Sequence, residues 1–203
     1  MESGTSRLET FSDGVFAIAA TLLVLELGVK RGAHAHSLGY QLIHQLWPAY
    51  LAYATSFLTI AIIWINHHHV METIDRVDRT FLFITALLLL VVAFIPFPTG
   101  LVAHSLQSHS DERAAVYAYG VTLLLMAIVF NVLWTYARRG RRLLGAELPE
   151  PTIRAVTLAA GIGVPLTALV LVLATWTPLG GVIFAFSLSA FYLPGVALLF
   201  KAS

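Results

Sequence analysis

The 203-residue chain contains no cysteine and few charges. The missing thiols exclude disulfides, thiolate metal sites, iron–sulfur clusters and cysteine nucleophiles. Charged residues make up 11% of the sequence, against 58% hydrophobic residues and a mean hydropathy of +0.82. A soluble domain carries about 25% charged residues, so a water-soluble globular protein, a disordered chain and a fibrous rod are all excluded. The formal net charge of +1 leaves no basic footprint for nucleic acid. No HExxH, Walker loop or ordered Ser-His-Asp set is present, so no cofactor or enzyme chemistry is indicated. No apolar run carries arginine at every third position, which argues against a voltage sensor.

What the chain does have is long apolar runs. A membrane helix needs roughly 20 apolar residues, and runs of about that length cover Phe11–Val29, Leu46–Asn66, Thr80–Ala103, Ala114–Ala137, Arg154–Trp176 and Leu179–Phe200. They are too long and continuous for barrel strands, which alternate over about ten residues. The expectation is an all-α integral membrane protein with six transmembrane helices in one domain, 1–203. Pro96, Pro98, Pro165 and Pro194 fall in or near the runs and read as tolerated kinks. The last two runs are joined only by TWTPLGG around Pro178, Gly180 and Gly181, which requires a tight hairpin. The other breaks are polar: Lys30–Gln45, His67–Arg79, His104–Arg113 and Arg138–Ile153.

Basic residues set the expected orientation. With the N-terminus in the cytoplasm, the inner side holds Arg7, Arg76, Arg79, Arg138, Arg139, Arg141, Arg142, Arg154 and Lys201, and the outer side Lys30, Arg31 and Arg113. Both termini are therefore expected to be cytoplasmic, in a multi-pass protein of the cell membrane. Val15–Leu27 before Ala33-His34-Ala35 superficially mimics a signal peptide, but Lys30 and Arg31 just ahead of the site are unfavourable and no cleavage is expected.

The first run differs from the rest because Asp13 lies inside it. An ionisable residue costs about 2.5–3.5 kcal/mol at a span centre, less near an end, so Asp13 needs either a partner or a place in the first turn, where the helix dipole favours it and Ser12 or Thr10 could cap. At about 100° per residue, Ile18, Leu22, Leu25, Thr21 and Gly14 share one stripe. Asp13 lies about 140° away, with Ala17, Ala20 and Val24 on its side, a small-residue face suited to close helix approach into the bundle. From spacing alone the stripe can be core, lipid-facing or pore-lining.

Arg7-x-x-x-Phe11-Ser12-Asp13 followed by GVFAIAATLLVLEL resembles the first-span signature of the transmembrane protein 175 family of potassium channels. Trp64-Ile-Asn66-His67 resembles the Trp-x-x-His element of the family's second span. The six-span layout matches its prokaryotic, single-repeat members over nearly the whole chain. The resemblance implies a homotetramer whose four first helices surround a central pore, without the TVGYG filter of other potassium channels, a motif this sequence lacks too. It implies a hydrophobic constriction at Ile18, extended by Leu22 and Leu25, a hydroxyl selectivity layer at Thr21, and a structural polar network of Arg7, Phe11, Ser12, Asp13, Trp64 and His67.

The expected function is thus a potassium-selective, leak-like channel with potassium as the permeant ion, no cofactor, and its own copies and the bilayer as partners. The alternatives are a secondary cation/proton transporter using Asp13, Glu26 and His67, and a membrane enzyme or structural subunit, against which the missing catalytic sets argue. Glu26 reads either as negative potential at the outer mouth or as a solvated helix end. His67-His68-His69 reads as span-end packing, a pH-sensitive contact or a metal site. Successive helical residues diverge by about 100°, so three on a helix cannot converge on one ion. His34 and His36 fall in an outer loop.

Overall fold

The structure is a computed structural model that describes residues 4–28, 37–108, 111–141, 143–145 and 148–177. Helix α1, Gly4–Leu22, tightens into a 3-10 turn at Leu23–Glu26. A single turn, α2 at Leu38–Tyr40, is capped by the Ser37 side chain and widens at Gln41–Gln45 before α3, Trp47–Glu72. Then follow α4, Arg79–Phe94; α5, Pro96–Ser108; α6, Glu112–Arg138, with a 3-10 turn at Arg139–Arg141; and α7, Glu150–Trp176. Among the described residues five stretches are long and apolar enough to cross a membrane: 4–26, 47–72, 79–106, 112–141 and 150–169. The sixth expected run, Leu179–Phe200, and the TWTPLGG hairpin from Pro178 onward lie outside the described residues.

Several boundaries differ from the sequence expectation. The first helix begins at Gly4 rather than Phe11, so Thr10 and Ser12 are not caps. Both hydroxyls instead donate back along their own helix, Thr10 to the Ser6 carbonyl and Ser12 to that of Leu8, which is how a polar side chain is satisfied without water. The second half of the Lys30–Gln45 break is helical. The third helix runs past Asn66 to Glu72, because His68 and His69 find carboxylates at the rim.

The third run is two helices rather than one. Proline lacks an amide hydrogen and its ring clashes with the preceding turn; Pro96 ends the α4 ladder, and Pro96 and Pro98 sit in the first turn of α5, where the missing donor costs nothing. Asp78 starts α4, accepting from the Phe81 amide at 2.8 Å, while its other oxygen accepts from the Tyr136 hydroxyl of α6 at 2.7 Å.

Helices α3, α4, α5 and α6 form the body, with α1 laid on α3 and α4, and α7 on α6. Phe81, Leu88, Val92, Ile95, Leu133 and Trp134 are fully buried at its centre. Three helices are pinned by hydroxyls: Ser56 of α3 lies 2.7 Å from Thr99 of α5 and donates to Tyr119 of α6 at 3.0 Å. On α6, Trp134 donates to Thr157 of α7 at 2.8 Å, and the Asn131 amide to the Ala160 carbonyl.

At one end the α3–α4 and α6–α7 connections are stitched together, Asp75 N–H to the Leu143 carbonyl and Gly145 N–H to that of Thr73. Gly4 lies against Val77 at the same end. The N-terminus of α1, Arg76, Arg79, Arg138, Arg139, Arg141 and Arg154 therefore share one rim.

Candidate functional site

The site grows from the two faces of α1. Leu8, Ser12, Phe16, Ala19 and Leu23 are buried against the body. Taking Ile18 as zero, they span about 80–160° around the helix. The opposite face is bare. Ile18 is 60% exposed, Leu22 41%, Leu25 72% and Phe11 63%, and Arg7, Gly14 and Thr21 are exposed in line with them. Apolar residues this open on one face of a span must meet lipid or other copies of the chain.

Thr21 donates its hydroxyl hydrogen to the Ile18 carbonyl at 2.9 Å. Its donor is thereby spent inside the helix, and the remaining lone pairs of the oxygen lie on the open face. The layer one turn beyond Ile18 thus offers acceptors and no free donor, the chemistry a cation needs.

Asp13 does not enter the bundle centre with its small neighbours. Ala17 and Val24 are exposed, and Ala20 and Asp13 half-buried. The bundle took the face of Leu8, Ser12, Phe16, Ala19 and Leu23 instead, packed against α3 and α4. The expected small-residue bundle face is therefore only partly covered, at Asp13 and Ala20, and open at Ala17 and Val24.

Asp13 does find a partner: Trp64 Nε1 donates to its Oδ1 at 2.9 Å. The other residues grouped with this pair do not all join it. Ser12 is buried but bonds within α1. His67 is buried under Phe16, ring centroids 5.6 Å apart, and among the described residues its Nε2 has no hydrogen-bond partner. Arg7 and Phe11 stand on the bare face, away from α3. Their positions eleven and seven residues before Ile18 put them in register with it, so helical phase alone carried the signal that the stripe extends to the N-terminal end.

Glu26 lies against Gly100 of α5, where a β-carbon would overlap its Oε2. It is half-buried, neither at the stripe nor freely solvated. The three histidines diverge as helical spacing requires. His67 points inward. His68 reaches Glu9 of α1 and stacks on Trp64, and His69 pairs with Glu72 at 2.7 Å. Among the described residues no group of three or more potential ligands could hold a metal. The Glu9–His68 contact was not anticipated from sequence, because nothing in the pattern aligns residues of different helices. His34, His36, Lys30, Arg31, Arg142 and Lys201 lie outside the described residues.

Comparison with known proteins agrees with this architecture. The family model described as endosomal/lysosomal potassium channel TMEM175 matches residues 7–96. A protein of Chamaesiphon minutus named as a potassium channel is 43% identical over 157 residues, 77% of each chain. Another of that name from Streptomyces collinus is 42% identical over 173 residues, 82% of this chain and 81% of that one. The crystal structure of a lysosomal potassium-selective channel TMEM175 homolog from Chamaesiphon minutus superposes with a TM-score of 0.85 at 37% identity, covering 96% of this chain and 99% of that one. The chain, a membrane protein with several spanning helices, belongs to the TMEM175 family, whose members are ion channels and not enzymes.

Proposed function

We propose that this protein is a potassium-selective, leak-like channel of the cell membrane, in which four copies of α1 surround the ion path. The observation that carries this reading is the bare stripe of α1: one face is packed by α3 and α4, while Ile18, Leu22 and Leu25 are left open in a helix of the membrane domain. One helix offers one narrow stripe, so enclosing a path takes a symmetric ring of copies. The open flank at Ala17 and Val24 is small enough for a neighbouring helix to approach closely.

Within such a ring Ile18 is the constriction. Four branched aliphatic side chains exclude water, and an ion crossing them sheds hydration with no oxygen in return. Thr21 is the next layer, where four hydroxyl oxygens replace part of that hydration and favour potassium. The sequence has no TVGYG segment to supply carbonyls. Asp13 has a structural part, holding α1 to α3 through Trp64. No cofactor is required, and potassium is the permeant ion. The termini are cytoplasmic on the strength of the basic rim.

Among the alternatives, an exchanger would pass protons or cations between Asp13, Glu26 and His67. Their surroundings favour the channel, since the three are engaged separately by Trp64, Gly100 and Phe16. Potassium-loaded liposomes containing the purified protein test the proposal. Passive potassium efflux with no counter-transported proton, at rates above those of carriers, is expected; proton-coupled exchange would overturn it.

A further inference from the structure

Two exposed apolar stripes of the body end at the same corner of the basic rim. On α4, Phe83, Leu87, Leu90 and Phe94 are exposed, and Arg79 lies in phase with them at the start of the helix. On α6, Val121, Leu125, Ile128 and Val132 are exposed, and Arg139 lies in phase with them just past the last turn. The hydrogen bond from Tyr136 to Asp78 joins the two ends. Arg79 directly follows Asp78, and Arg139 follows Tyr136 by one turn.

Arg138 and Arg154 belong to the same corner. Trp134 and Asn131 of α6 donate to Thr157 and Ala160 of α7, so these helices run antiparallel in a fixed register. One turn beyond the Trp134–Thr157 contact, that register sets Arg138 level with Arg154. All four arginines are exposed. Among the described residues none of the four makes an ion pair. The carboxylates beside them are engaged elsewhere. Asp78 accepts from the Phe81 amide and the Tyr136 hydroxyl, and Glu150 pairs with Arg141. Three helix ends thus present four guanidinium groups without a counter-charge.

Guanidinium forks match phosphate oxygens, and basic clusters at span ends attract anionic headgroups. We propose that this corner binds an anionic phospholipid. Arg79 and Arg139 hold its phosphate, Arg138 and Arg154 add positive potential, and its acyl chains lie along the stripes of α4 and α6. The stripes select a lipid over free phosphate, because each gives a chain an apolar surface that ends at the level of the arginines. The site depends on the membrane spans, and on neither the ion path nor the side of the membrane that the rim faces.

Native mass spectrometry of the full chain in detergent tests this, with titration by phosphatidylglycerol or by phosphatidylcholine of the same chain length. Phosphatidylglycerol is expected to bind about tenfold more tightly, and Arg79→Gln and Arg139→Gln each to weaken it about fivefold, leaving phosphatidylcholine unchanged. Arg79→Lys and Arg139→Lys should keep most of the preference. Arg113→Gln, the same loss of charge at the exposed start of α6, should keep all of it.

Equal affinity for the two lipids, or a preference that survives in the Arg79→Gln/Arg139→Gln double variant, would overturn the proposal. Inorganic phosphate should not displace phosphatidylglycerol; displacement would make the corner a site for a free anion instead. The double variant should also keep the wild-type number of copies in lipid-free detergent. A changed number would make the corner a contact between copies and overturn the lipid assignment.

Discussion

At the scale of single residues, Ile18 and Thr21 carry the sharpest expectations because neither is packed within its own chain. A substitution at an exposed site away from such packing shifts stability by about 0.5 kcal/mol or less, so changed currents report on the path and not on folding. Ile18→Asn keeps nearly the same volume and adds polar atoms. Lowering the barrier by about 1.4 kcal/mol would raise conductance about tenfold, with weaker discrimination between potassium and sodium. Single-channel recording checks this, and unchanged conductance would mean that Ile18 faces lipid. Thr21→Val deletes the oxygen while keeping the shape. Current should persist while the reversal potential under potassium/sodium gradients moves toward zero.

Between elements, the junctions of α1 with α3 and α5 set how the stripe is presented. Trp64→Phe removes the indole N–H and leaves Asp13 with no donor from α3. Hydrogen bonds to charged groups contribute about 1.5–3 kcal/mol, and the half-exposed setting of Asp13 puts the expected loss at the low end. Thermal unfolding in detergent should show a lowered midpoint for Trp64→Phe and for Asp13→Asn, with the double variant little worse than either. At the other end of α1, Gly100→Ala places a methyl where the Glu26 carboxylate rests. Glu26 must swing out, loosening the 3-10 turn that carries Leu25. Gly100→Ala should lower stability, and shortening the acid in Glu26→Ala/Gly100→Ala should restore part of it, read by the same unfolding assay. If the double variant is no more stable than Gly100→Ala, the contact is incidental.

Across the whole molecule, the shared rim of arginines and the open flank of α1 lead to statements about topology and assembly. The chain has no cysteine, so a single cysteine at Ser3 or Ser203 is a clean probe. Impermeant maleimide should label neither in intact cells and both after permeabilisation. Native mass spectrometry of the detergent-purified protein should give four copies. Ala17→Leu, which fills the open flank without touching the buried face, should shift the population toward smaller species.

Much of this was legible in the residues before any helix was placed. Long apolar runs, scarce charge and absent cysteine determine a helical membrane protein, because a bilayer accepts only chains that satisfy their own backbone. The Arg7–Asp13 motif and Trp64–His67 point to the family, and the helical period puts Ile18, Leu22 and Leu25 on one face. That period relates residues within one helix only. It says nothing of which face a second helix covers, so it left Asp13, Ala17, Ala20 and Val24 on the bundle side. Tertiary packing covered the face of Leu8, Ser12, Phe16, Ala19 and Leu23 instead. It also turned Glu26 onto Gly100. For the same reason it set His67 under Phe16 and brought His68 to Glu9: the direction of each histidine is local, but the ring or carboxylate that it meets belongs to another helix.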